Sequence, residues 1–148
     1  MKILALLAVL TLVPLASATW CNGKLSDVVL DFEVDAAGNA FASGDTPSQL
    51  PGGIKVRGFR RGGNHSQNDL VIFDSANPTG GDNDLFTARK KHVLIINEND
   101  DKSVPDDNRK GGSIIFNFQK YPAQVKEIRF LDLDDKRRRP TRIVGRTW

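Results

Sequence analysis

Leu70-Val71-Ile72-Phe73-Asp74-Ser75-Ala76-Asn77-Pro78-Thr79-Gly80-Gly81-Asp82-Asn83-Asp84-Leu85 sets the pattern that the rest of the chain repeats. Its first four residues are an unbroken apolar run rich in β-branched and aromatic side chains. That is too short for a helix and too apolar for a half-exposed strand, so it reads as a β-strand covered on both faces. Turn chemistry follows at once: Asn-Pro, then Gly-Gly, then short carboxylates. Downstream, Val93–Ile96 is a second continuous run of the same kind, and Ile54–Phe59, Ile114–Phe118 and Val125–Leu133 are further short ones. Upstream, Val28–Val34 alternates, with Val28, Leu30, Phe32 and Val34 on one side and Asp31 and Glu33 on the other. Alternation is less strict in Val125–Leu133, where an irregularity is expected.

Ala37-Gly38-Asn39, Pro51-Gly52-Gly53, Gly62-Gly63-Asn64, Pro105-Asp106-Asp107-Asn108 and Gly111-Gly112 punctuate these runs. No stretch of helical period with caps interrupts them. The expected strands are Val28–Val34, Ile54–Phe59, Asp69–Asp74, His92–Asn97, Ser113–Phe118 and Gln124–Asp132. The expected core contains Leu30, Phe32, Ile72, Leu94, Ile96, Ile115, Phe116 and Leu131. The fold class is all-β, an antiparallel sandwich or barrel, and loops longer than hairpin turns favour Greek-key or jelly-roll connections over a simple meander; the expectation taken forward is a jelly-roll-like β-sandwich.

The N-terminus reads as an export signal. Met1-Lys2 is followed by the apolar stretch Ile3–Leu15 and by Ala16-Ser17-Ala18, a small-residue cleavage pattern. The apolar stretch is shorter than the ~20 residues that span a bilayer, and no later run is longer, so no membrane span is expected. The expected organisation is a signal peptide over 1–18, a β-domain over 19–135 and a basic tail over 136–148. Such a domain is secreted and extracellular. It contains one cysteine, Cys21, so hydrophobic packing, with or without a bound cation, has to hold it without an internal disulfide.

The formal charge of +3 conceals an asymmetry. Lys136, Arg137, Arg138, Arg139, Arg142 and Arg146 make the last thirteen residues strongly basic, while all eighteen acids lie between Asp27 and Asp135, fifteen of them Asp. The tail lacks interleaved aromatics and any nucleic-acid motif, so a nucleic-acid partner is not expected; pairing with the acidic body is the simpler use of its charge. The aspartates gather in three loops. Asp74, Asp82 and Asp84 bracket the first, Glu98, Asp100, Asp101, Asp106 and Asp107 crowd the second, and Asp132, Asp134 and Asp135 end the last strand. Carboxylates on flexible loops are what Ca2+ uses to collect its six to eight oxygens, and they also cap turns; both readings stand here. The spacing is not that of an EF-hand.

Catalysis finds little support. His65 and His92 lack metal-ligand spacing, and Ser66 beside His65 does not make a triad. Asn64-His65-Ser66 is an N-glycosylation sequon in a loop.

Taken in order, Asp35–Asn39, Leu70–Leu85, Val93–Glu98, Pro105–Asn108 with Gly111-Gly112, and Phe130–Asp134 resemble the motifs of a group of uncharacterised secreted microbial domains. The resemblance covers roughly residues 28 to 135. It implies a jelly-roll sandwich of the kind used by carbohydrate-binding and cell-surface modules, with no established activity. Members of that group continue past the last motif with further strands, so the sandwich is expected to be incomplete in this chain. The functional expectation is a secreted, non-catalytic domain, stabilised by Ca2+ and binding a glycan or cell-surface component. The other reading is a structural or interaction component of the extracellular matrix, or a degenerate relative with no ligand. Beyond the leader only Trp20, Tyr121 and Trp148 carry large polar-edged rings, which argues against a conventional aromatic sugar platform.

Overall fold

The two continuous apolar runs form the centre of the molecule. In the computed structural model, which describes residues 27–64, 66–88, 91–118, 124–131 and 143–144 and the backbone of 5–6 and 10–13, they pair antiparallel. Numbered in chain order, these strands are β6 (Leu70–Asp74) and β7 (His92–Ile96), with Leu70 opposite Ile96 and Ile72 opposite Leu94. Side chains alternate across the pair, so both faces are apolar and both are covered. Leu70, Ile72, Leu94 and Ile96 join one core cluster; Val71, Phe73, Val93 and Ile95 join a second. Each fully buried side chain of this size stabilises the fold by roughly 1.5–3 kcal/mol.

The first cluster is completed by Leu30, Phe32, Leu50, Ile54 and Val56. Ile54 and Val56 come from β5 (Ile54–Arg60), which pairs with β4 (Gln49–Leu50) on one side and β8 (Gly112–Asn117) on the other. Gly58 lies within this strand because a Cβ there would run into the Leu70 side chain. Leu85 fills the second cluster, with Leu131 packed against it. The chain is therefore all-β and antiparallel, and of its three sheets those that contain β4–β5–β8 and β6–β7 face each other across the first core cluster. Among the described residues no helix is long and apolar enough to cross a membrane.

Three details differ from the sequence reading. Val28–Val34 is not one strand: β3 (Val28–Leu30) stops at Leu30. Asp31 Oδ1 accepts the Glu33 N–H at 3.1 Å, and Phe32 takes a positive φ of 62°, burying its ring while turning the backbone. Val34 then makes only an isolated bridge to Ala40 and is 37 % exposed. Ile115, expected in the core, is 53 % exposed, because the β8 register directs Ile114 and Phe116 to the first cluster instead. The expected strand Gln124–Asp132 is β9 only at Gln124–Glu127, exposed throughout; past it, out of step with Val125, Ile128 and Phe130 pack against the first cluster.

The apolar N-terminal run adds two short strands to the full chain. Ala5–Leu6 (β1) pairs with β7, and Leu10–Val13 (β2) lies between β3 and β9.

Candidate metal centre

The turn after β6 and the segment after β7 meet around carboxylates, and each is shaped by its own side chains. Asp74 starts the first turn: its Oδ1 accepts the Ala76 N–H and its Oδ2 the Asn77 amide, both at 2.9 Å. Burial pushes the Asp74 carboxyl up, and these hydrogen bonds more than offset it, leaving it below its ordinary value. Gly80 and Gly81 follow at φ of 64° and 88°. Gly80 is required twice, since this backbone region strains other residues and since a Cβ would come within 2.7 Å of the Asp106 carboxyl carbon. The room left by its missing side chain admits the Asp106 carboxylate. Thr79 Oγ1 donates to the Pro105 carbonyl at 2.7 Å, stitching the turn to the second segment.

That second segment is held by Asn97, a fully buried side chain directly after β7. Its Oδ1 accepts the Asp106 N–H at 2.9 Å, while its Nδ2 donates to the Asn99 and Asp101 carbonyls at 2.8 and 3.0 Å. Asn97 also bridges Asp107 through the backbone, and the Asn108 N–H returns to the Ile96 carbonyl at 2.8 Å.

Three carboxylates converge as a result. One oxygen from each of Asp82, Asp106 and Asp107 lies within 4.8 Å of the others. Asp82 and Asp107 are buried, Asp106 half-buried. The Asp107 N–H donates to Asp82 Oδ2 at 2.9 Å. Asp107 Oδ2 is buried and has no hydrogen-bond partner. Burial first, then the charge and hydrogen bond of Asp82 and the charges of Asp106 and Asp84, push the Asp107 carboxyl up to about 8. A buried acceptor left unpaired costs roughly 1–3 kcal/mol, more when charged.

This donor set consists of oxygens alone, which suits a hard cation over Zn2+. Ca2+ accepts oxygens at about 2.3–2.6 Å in a flexible shell, so two ligands of one ion lie up to about 5 Å apart, in keeping with the observed spread. Mg2+ holds its waters and rarely takes several protein carboxylates. Asp82, Asp106 and Asp107 would hold the ion, and the bound charge would satisfy Asp107 Oδ2.

The other expected ligands lie elsewhere. Asp84 is exposed and reaches the cluster through its charge on Asp107. Asp74 caps its own turn. Glu98 pairs with Arg109 at 3.6 Å, and Asp100 with Arg60 at 2.6 Å. Asp132 and Asp134 lie outside the described residues. Asn64, the sequon residue, is exposed and accepts the Ser66 N–H at 3.0 Å. His92 is buried with its Nδ1 2.8 Å from Glu33 Oε2, a link between the β3 loop and β7. Gly80 and Asn97 position the cluster without having been singled out from sequence. The available signals were a second glycine where a turn needs one and an Asn ending an apolar strand. Comparisons of the chain with models of protein families, with curated proteins and with solved structures give no match.

Proposed function

We propose that this protein is a secreted, non-catalytic domain whose two principal loops are tied together by Ca2+ and offered to a glycan or cell-surface partner. The observation that carries the cation is Asp107: a buried carboxyl with an unpaired oxygen, set against Asp82 and Asp106. The leader-like N-terminus supports the compartment, and the resemblance to secreted jelly-roll-like domains supports the class of partner. Outside the cell Ca2+ is millimolar, the range in which extracellular modules with dissociation constants of about 10⁻⁴–10⁻³ M are loaded.

The test is thermal unfolding in Ca2+ and in chelator. Ligand at a hundredfold excess over its dissociation constant adds about 2.7 kcal/mol to the folded state. Ca2+ should therefore raise Tm by several degrees, the Asp82→Asn variant should lose the response, and Asp45→Asn, in a different loop, should keep it. Superimposable melting curves with and without Ca2+ would end the cation reading.

A further inference from the structure

The loop that carries Asp106 and Asp107 builds a second feature. Residues 99, 100 and 102 of that loop, with 67–69 before β6, line a cleft of about 280 Å3: Gln67, Asn68, Asp69, Asn99, Asp100 and Lys102. All six are polar, and their charges are balanced within the protein. Arg60 donates to Asp100 at 2.6 Å and lies 3.9 Å from Asp69, while Lys102 Nζ donates to Thr46 Oγ1 and the Asn68 carbonyl at 2.6 and 3.1 Å.

Carboxamides remain. Asn68 and Asn99 use their Oδ1 atoms on backbone N–H groups, and their Nδ2 atoms, like the Gln67 carboxamide, have no partner among the described residues. A cleft lined only by polar residues offers no apolar side chain to a lipid or an aromatic ring, and its charged groups are already engaged, the two carboxylates by Arg60 and Lys102 by Thr46 and the Asn68 carbonyl. Amide donors beside carboxylate acceptors suit adjacent hydroxyl groups, each of which gives and takes a hydrogen bond. The volume lies at the lower edge of the ~300–1,000 Å3 typical of small-molecule clefts, which limits the occupant to about one ring.

We propose that this cleft binds a sugar ring of a neutral saccharide, and that Ca2+ held by Asp82, Asp106 and Asp107 strengthens the binding by fixing the loop through Asn97. The cation dependence rests on the function proposed above; the cleft's own hydrogen-bond chemistry does not. Without an aromatic platform the affinity is weak, so the experiment reads weak binding: chemical-shift perturbation of the full chain by the methyl glycosides of glucose, galactose and mannose, in Ca2+ and in chelator. At least one should perturb the signals of Asn68 and Asn99, several-fold more tightly in Ca2+. Asn99→Asp, which keeps the loop-holding Oδ1 and removes the donor, should weaken binding about tenfold, the worth of one hydrogen bond of ~1.4 kcal/mol. Gln67→Ala, at an exposed position, should weaken it without changing Tm. If no glycoside binds a protein whose Tm still responds to Ca2+, the cleft proposal is overturned and the cation reading survives. Binding that ignores both substitutions overturns it equally. Saccharide binding with no Ca2+ response in Tm sinks the cation reading and the coupling, and leaves the cleft.

Discussion

Asp69 and Asp107 are buried to the same degree, 4 and 3 % exposed, and the chain surrounds them in opposite ways. Asp69 is met by Arg60, whose backbone N–H donates to Oδ2 at 2.8 Å and whose guanidinium lies 3.9 Å from Oδ1. Asp107 is met by carboxylates: Asp82, Asp106 and Asp84 all act to keep its proton on. Burial of a charge is tolerated when an opposite charge and hydrogen bonds accompany it. The first aspartate has both from within the protein. The second has an unsatisfied oxygen and like charges around it, a setting in which a bound cation would supply what the neighbouring carboxylates do not. One residue type thus serves as structural glue in one place and as a proposed ligand in the other.

The largest effect expected from this contrast is at Arg60. Its guanidinium also reaches the Glu98 carbonyl at 3.0 Å and Asp100, so Arg60→Ala strips three acceptors at once. Leaving one member of a buried ion pair alone costs about 3 kcal/mol or somewhat more, a Tm loss of roughly 10 °C for a domain of this size. Calorimetry should find this loss in Ca2+ and in chelator alike. A loss that vanishes in Ca2+ would mean that the two aspartates belong to one electrostatic unit, and the contrast would fail.

Asp107→Asn should change sign with the solvent. In chelator at pH 8 the variant no longer buries a charge among carboxylates, and it should be more stable than the wild type by about 1–2 kcal/mol. In saturating Ca2+ the order reverses, because the wild type gains the ion and the variant does not. The pH dependence follows the same group. The folded-state value of about 8 stands above the ordinary 3.8, so the folded form holds the proton more tightly than the unfolded one. That contribution is complete below pH ~4 and is lost as pH rises through about 8. In chelator the wild-type Tm should therefore fall between pH 5 and 8 relative to Asp107→Asn. Parallel curves for the two proteins would remove Asp107 from the account.

The strands were legible because periodicity is local. Leu70–Phe73 and Val93–Ile96 announce burial on both faces by having no polar residue to turn outward, and the structure covers both faces. Val28–Val34 misled because alternation cannot reveal that Asp31 turns back onto the Glu33 amide and sends Phe32 to a positive φ. Ile115 misled because Ile114, Ile115 and Phe116 are all apolar, and only the pairing of β8 with β5 fixes which side faces in. The candidate site was legible as a composition of loops and illegible as a geometry. Asp82, Asp106 and Asp107 are brought together, and Glu98 and Asp100 are not, through Gly80, Asn97 and Arg60, which act across 9 to 40 residues of chain. Nothing in the spacing of carboxylates along the sequence carries that information.

The smallest effect should come from aspartates that serve only their own turns. Asp101 is exposed, and its Oδ1 accepts the Ser103 N–H and hydroxyl at 2.9 and 2.6 Å, which hold its carboxyl below the ordinary value. Asp35 is held low in the same way by the Asn39 side chain and the backbone of its turn. For these groups the sign opposes that of Asp107: the charged form is favoured in the folded state, so their contribution is present above pH ~4 and fades as the pH falls through their lowered values. Solvent screens them, and Asp101→Asn keeps an oxygen for Ser103, so its Tm at pH 7 should be indistinguishable from that of the wild type. Its only signature should be a slightly shallower loss of Tm between pH 4 and 2. The decisive reading is the Ca2+ response of the same variant. Asp101 lies five residues from Asp106 in one loop, so if proximity along the chain made a ligand, Asp101→Asn would blunt the response. If convergence in space makes it, the response stays whole in Asp101→Asn and disappears in Asp107→Asn.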